Sequence, residues 1–356
     1  MIKTFEEVFE DKTKYGTKIK TEQYQKEGKN IIIDQGKEII SGYTDIQEGL
    51  FEDVPVIIFG DHTRIIKYVD RPFFLGADGV KILKSKFKDA NYKYLYYALR
   101  NIKIPNTGYN RHFKWLKEVE IEYPEIEIQT NIVKVLDKIV HIMNVKRKEI
   151  NNLNTLIKSR FTEMFGDPVS NSYDLPEATL SDLGEFGRGV SKHRPRNDIK
   201  LLGGKYPLIQ TGDIANAGLY ITSYSNTYSE LGLRQSKMWD KGTLCITIAA
   251  NIAKTAILEF DACFPDSVVG FIANERTNNI FIHYWFSFFQ AILESQAPES
   301  AQKNINLKIL SELKVIVPEK RKQDEFASFV KLIDKLKSHF LKLPVFPGLY
   351  VVKYTY

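Results

Sequence analysis

The sequence predicts an α+β chain: two similar globular lobes, each a mixed sheet with short helices, separated by long antiparallel coiled-coil-like helices. Three observations carry this. Residues 110–139 align without gaps on 304–333, with eight identities in 30 positions. From Ile128 apolar residues recur at alternating spacings of four and three, the pattern of a helix with a narrow apolar seam. The stretch FTEMFGDPVSN at 161–171 ends that run abruptly. At 356 residues, 43% hydrophobic and 12% aromatic, the chain has material for two cores.

Each copy opens on turns and short strands. TFEEVFEDKTKYGTK (4–18) matches TLSDLGEFGRGVSK (179–192) loosely, and VIIFG (56–60) pairs with LCITI (244–248), both reading as buried strands. GADGVKIL (76–83) parallels FPDSVVGFI (264–272). YKYLYYALR (92–100) parallels HYWFSFFQ (283–290), both aromatic-rich amphipathic helices. A polar loop, one more strand, a Pro-Glu turn and a long helix follow in each copy. The identities include Asn110/Asn304, Pro124/Pro318, Glu125/Glu319, Gln129/Gln323 and Ile139/Ile333. Between them Ile132, Val135 and Leu136 fall on Phe326, Phe329 and Val330, apolar on apolar at helical spacing.

The first long helix carries Ile132, Val135, Ile139 and Ile142, then Leu153, Leu156 and Phe161 beyond the charged KRKE at 146–149. Some 38 residues at about 1.5 Å each make a rod of roughly 57 Å. So narrow a seam needs a second helix to cover it, and the second copy offers one with Phe326, Phe329 and Ile333. Gly166 supplies a left-handed stop and Pro168 denies the helix a further N–H. The resulting division is a first lobe at 1–125, a helix at 126–167, a second lobe at 168–317 and a shorter helix at 318–343. A tail follows at 344–356, expected to be extended because Pro344 and Pro347 interrupt it.

Composition narrows the chemistry. Lys and Arg number 50 against 44 Asp and Glu, a mildly basic balance of +6, which does not by itself name a partner. Cys245 and Cys263 are too few for a disulfide framework, and no Cys/His spacing suggests zinc. The opening MIKTFEEVFEDKTK lacks the apolar core of a signal peptide, and IFIHYWFSFFQAIL (280–293) is too short and interrupted to span a bilayer. A reducing cytoplasm is expected. There is no phosphate-binding P-loop, no Gly-x-Ser-x-Gly elbow and no Asn/Asp-Pro-Pro-aromatic motif. No metal, catalytic residue or bound cofactor is expected on this chain.

The loops are polar and basic instead. FGRGVSKHRPRNDIKLLGGKY (186–206) holds Arg188, Ser191, Lys192, His193, Arg194 and Arg196. Its counterpart KTKYGTKIKTEQY (12–24) holds Lys18 and Lys20. FGDHTRIIKY (59–68) puts Asp61, His62, Thr63 and Arg64 in a turn after a strand. NTGYNRHFKW (106–115), with Asn110 and Arg111, corresponds to PESAQKNINLK (298–308), with Gln302, Lys303 and Asn304. Such side chains suit phosphates and base edges, and their repetition in both copies favours double-stranded DNA as the partner.

The chain resembles the specificity subunit of type I restriction–modification systems. The residues that carry the likeness are RFTEMFGDP (160–168), FGDHTR (59–64) with FFLGADG (73–79), and SAQKNINLKIL (300–310). The resemblance implies two target recognition domains, each reading one half of a bipartite DNA site, joined by conserved helices that set the gap. It implies no chemistry on this chain. Two modification subunits would dock on the helices and bind S-adenosylmethionine, and restriction subunits would use ATP and magnesium. The specificity subunit of a type IIB system, or a protein-interaction scaffold, is the alternative.

Overall fold

A computed structural model describes residues 1–76, 78–196, 198–249, 252–296 and 305–342; for 291–296 and 341–342 it describes the backbone alone. The chain divides into two compact units within the long helix, between Val145 and Lys146.

In the first unit the N-terminal strand Ile2–Thr4 pairs antiparallel with Glu120–Glu122. Thr4 then starts the short helix Phe5–Val8 with a reciprocal cap: its hydroxyl accepts the Glu7 N–H at 3.3 Å, and the Glu7 carboxylate accepts the Thr4 N–H at 2.7 Å. The Thr4 bonds hold that carboxyl below its usual range. The main sheet is antiparallel, in the order Phe9–Asp11, Val80–Ser85, Val56–Gly60, Ile66–Val69. A second sheet sets Asn30–Ile33 between Gly42–Thr44 and a parallel neighbour, Phe73–Leu75. Helix Tyr92–Asn101 closes the core with Leu95 and Leu99, beside Phe5, Phe59, Phe113 and Leu116.

The second unit repeats this order. Glu177–Thr179 pairs with Lys314–Ile316, and Thr179 and Asp182 form the equivalent cap. The strands Gly184–Arg188, Val268–Ala273, Leu244–Thr247 and Thr255–Leu258 follow the order of the first sheet, with Tyr220–Ile221 added in parallel at the edge. Leu202–Leu208 lies between Asn226–Tyr228 and a parallel neighbour, Ala262–Cys263. Two short helices, Thr211–Asn216 and Glu230–Arg234, are extra to this copy, which is why the sequence match thins there. Helices Asn279–Gln296 and Leu307–Glu312 complete the lobe. The short helix Leu307–Glu312 and its counterpart Phe113–Lys117 lie where a polar loop was expected.

The repeat is visible atom by atom. Phe5 N–H donates to Val119 O at 3.1 Å, and Leu180 N–H to Leu313 O at 2.9 Å. Gln129 Nε2 donates to Pro124 O, and Gln323 Nε2 to Pro318 O, both at 2.8 Å. These buried amides explain the Gln129/Gln323 identity, because each satisfies a carbonyl ahead of a helix. One sequence pairing is corrected. Gly60 lies opposite Val80 and Thr247 opposite Val268, so VIIFG matches TLCIT (243–247), one residue short of the expected register. Both strands are buried throughout, and without inside–outside alternation the sequence does not fix their phase.

The long helix runs Ile126–Phe165 and ends at Gly166, whose φ is 75°. A Cβ there would lie 2.6 Å from Ser172 Oγ, so only glycine fits this turn. The second helix runs Lys320–Lys342. Residues 343–356, including the tail expected to be extended, lie outside the described residues. Phe161 and Phe165 pack on Phe326 with ring centroids 5.3 and 5.7 Å apart, so these helices meet within the second core. Ile333 joins that core, with Phe329 and Leu153 at its edge. The seam reads differently elsewhere. Val133 enters the first core, whereas Ile132, Val135, Ile142 and Leu156 are exposed and Ile139 is half-buried.

Candidate nucleic-acid interface

Three connections gather at one end of the first lobe's main sheet: the hairpin tip after Val56–Gly60, the turn before Val80–Ser85, and the loop before Phe113–Lys117. Main-chain bonds fasten them. Asp61 N–H donates to Gly79 O at 2.6 Å, and His112 N–H donates to Asp61 O at 2.8 Å. The Asp61 carboxylate is buried and accepts the Phe113 N–H at 2.7 Å. Gln35 bridges tip and turn: its Nε2 donates to Asp78 O at 3.0 Å, its Oε1 accepts the His62 N–H at 3.1 Å, and its carbonyl accepts the Thr63 hydroxyl at 2.7 Å.

On this base stand the groups that face outward. Tyr109 is 87% exposed and stacks on the His62 ring with centroids 4.8 Å apart. Lys18, Lys20, Asn110 and Arg111 are exposed. Lys18 bonds Asp78, and that bond, with the more distant charge of Arg111, holds the Asp78 carboxyl below its usual range. Arg64 takes a left-handed φ of 60°, and its Nη1 donates to Ile104 O at 3.2 Å, tying the tip to the loop that follows helix Tyr92–Asn101.

The second lobe fastens the same three connections. Ile248 N–H donates to Ser267 O at 3.0 Å, and Ile305 N–H donates to Ile248 O at 2.9 Å. Ala253, at φ 58°, stands where Arg64 does, on a longer tip. Across the turn lies the basic loop. Gly189 lets it approach closely, since a Cβ there would lie 2.2 Å from Phe264 O. Arg196 Nη2 lies 2.5 Å from Asp266 Oδ1, and Arg194 Nη2 lies 3.6 Å from Oδ2. Arg194 Nη1 also donates to Ser191 O at 2.6 Å and His193 O at 2.8 Å. His193 meets Asp198 at 3.0 Å through Nε2, and its N–H donates to Gln235 Oε1, also at 3.0 Å.

Of the residues singled out in sequence, Lys18, Lys20, Asn110, Arg111, Lys192, His193, Arg194 and Arg196 are exposed, and Arg188 is exposed at the end of its strand. His62 and Arg64 are half-buried and Thr63 is exposed. Asp61 and Ser191 are corrected: both are buried, and Asp61 is held by the fold. Gln302, Lys303 and Asn304 lie outside the described residues. Sequence reasoning missed Gln35, Gln235, Tyr109, Asp78 and Asp266. Asp78 and Asp266 were already aligned in the matched turns, and Tyr109 sits inside a loop already noted. Gln35 and Gln235 act through main-chain contacts that no motif marks. The loops present cations, amides and one stacked aromatic, a set that binds phosphates and reads base edges. Among the described residues no group of three His, Cys, Asp or Glu could hold a metal ion, and no helix is long and apolar enough to cross a membrane.

A module written twice, with basic loops gathered at a sheet end and long helices beside it, defines a duplicated DNA-recognition protein. The model of the type I restriction modification DNA specificity domain matches residues 1–155 and 174–342, and the chain belongs to that family. It is 23% identical over 298 residues to the MjaX type I restriction enzyme specificity subunit of Methanocaldococcus jannaschii, covering 77% of this chain and 68% of that one. It is also 23% identical over 353 residues to the EcoR124I/EcoR124II specificity subunit of Escherichia coli, covering 92% and 84%. Its fold matches the type I restriction-modification S subunit of M. genitalium with a TM-score of 0.60 at 18% identity, over 96% of this chain and 91% of that one. The chain is a DNA specificity subunit, of a family that binds DNA and acts with modification and restriction subunits. The type IIB and scaffold alternatives are not favoured.

Proposed function

We propose that each lobe reads one half of a bipartite duplex site through its three-connection cluster and the basic segment paired with it, with the helices setting the gap, and that this chain carries out no catalysis. The carrying observation is that the same cluster, fastened by equivalent main-chain bonds, occurs once in each lobe. Lys18, Lys20, Asn110, Arg111 and the His62–Tyr109 pair serve the first lobe; Arg188, Lys192, His193, Arg194 and Arg196 serve the second. Gln302, Lys303 and Asn304 are assigned to the second by the repeat alone. Two modification subunits dock on the helices, where Ile132, Val135, Ile142 and Leu156 are exposed. S-adenosylmethionine belongs to those subunits, ATP and magnesium to the restriction subunits, and the assembly works in the cytoplasm.

The test is salt-dependent duplex binding by the assembled complex. Replacing Lys192, Arg194 and Arg196 together by alanine should weaken binding and flatten the log–log salt slope by about 0.9 for each phosphate that the loop no longer neutralises. An unchanged affinity and slope would remove this loop from the interface.

A further inference from the structure

The two turns that precede the central strands carry aspartates at one repeat position. Asp78 lies two residues before Val80, and Asp266 two residues before Val268; Val80 and Val268 pair with the equivalent Gly60 and Thr247. Each aspartate holds cations of its own lobe's basic loop. Asp78 pairs with Lys18, and Asp266 with Arg196 at 2.5 Å and Arg194 at 3.6 Å. Both turns are anchored behind the carboxylate, through Gly79 O to Asp61 N and Ser267 O to Ile248 N.

Folding does not account for these pairs. Other repeated features are caps or buried amides with a main-chain group to satisfy. The Lys18–Asp78 side chains are 53% and 88% exposed, and those of Arg196–Asp266 are 48% and 35% exposed, where an ion pair adds little to stability. Nor do they suit simple attraction to DNA, since a carboxylate inside a basic loop repels phosphate. A carboxylate does, however, fix the direction of a long cation whose freedom would otherwise be lost on binding. An arginine so held keeps its remaining N–H groups for the O6 and N7 edge of guanine, while the nearby negative charge penalises phosphate contact that carries no sequence information.

We propose that Asp78 and Asp266 are equivalent positioning residues for base reading: Asp266 orients Arg196, Asp78 orients Lys18, and each governs selectivity in one half-site only. This rests on the two-reader function proposed above.

The experiment uses the complex of this chain with its modification subunits. The probes are its mapped target duplex, the target with single base changes in either half, and an unrelated duplex. With Asp266→Ala, binding to unrelated duplex should rise, and discrimination at a position in one half should drop by about tenfold or more. The other half should be unaffected, and the thermal midpoint of the chain unmoved. Asp78→Ala should mirror this in the other half. The Asp266→Ala loss should fall on the same position as that of Arg196→Ala, and the double variant should lose no more than Arg196→Ala alone. Asp266→Asn, equal in size and uncharged, should give the same one-sided loss, and serves if the alanine variant folds poorly. Unchanged discrimination, or equal loss in both halves, overturns the proposal. A wild-type complex with no preference for the target would overturn the two-reader function itself, and that result needs no variant.

Discussion

His283 sits on the helix Asn279–Gln296 with Nδ1 2.9 Å from Thr255 Oγ1. Desolvation, and then the charge of Lys337, push its imidazole down from 6.5 to about 4. The folded value is below the unfolded one, so the unfolded chain takes up the proton first and the group costs stability as pH falls. Stability should therefore decline from about pH 6.5 to about pH 4, by roughly 2–3 kcal/mol from this residue. Asp334 opposes it, since burial raises its carboxyl. Comparison with His283→Gln by urea unfolding isolates the histidine: the variant should show a flatter pH profile over that window, and an unchanged slope would contradict the assignment. At this scale the sequence revealed which loops are basic but not which side chains face out. Asp61 reads as one more polar turn residue until the Phe113 N–H is seen on its carboxylate. Tyr109 stacks on His62 from a loop some fifty residues further along the chain, a contact no spacing rule announces.

The helices show the same division. Their existence and the Gly166 stop were legible because helical period and the Gly–Pro terminator are local signals. The use of their apolar faces was not. Phe326 is fully buried against Phe161, Phe165 and Tyr284, whereas Val135, at the position matching Phe329, is 55% exposed. Identical periodicity thus has two fates, decided by which residues the tertiary fold brings alongside. Phe326→Ala should cost about 3–5 kcal/mol in urea unfolding of the chain. Val135→Asp should leave that stability within about 0.5 kcal/mol and weaken capture of the modification subunit in a pull-down at defined concentrations. A strongly destabilised Val135→Asp variant would show that this face is already covered within the chain.

For the whole molecule, the repeat is the feature on which everything else depends. It was legible in sequence from eight identities and a shared order of elements, and the equivalent caps, amide bonds and strand orders of the two lobes give it a physical basis. The upstream match was weaker because the second lobe inserts two helices and an edge strand, which add residues to connections without altering the order of the central strands. Two copies of one reader imply two half-sites, each answerable to its own lobe. The most direct measurement is a map of methylated bases in DNA from cells carrying this chain with its modification subunits, before and after residues 168–317 are exchanged for those of a relative. Two short half-sites at a fixed spacing are expected, with only one half altered by the exchange. A single undivided site, or both halves altered together, would contradict the account.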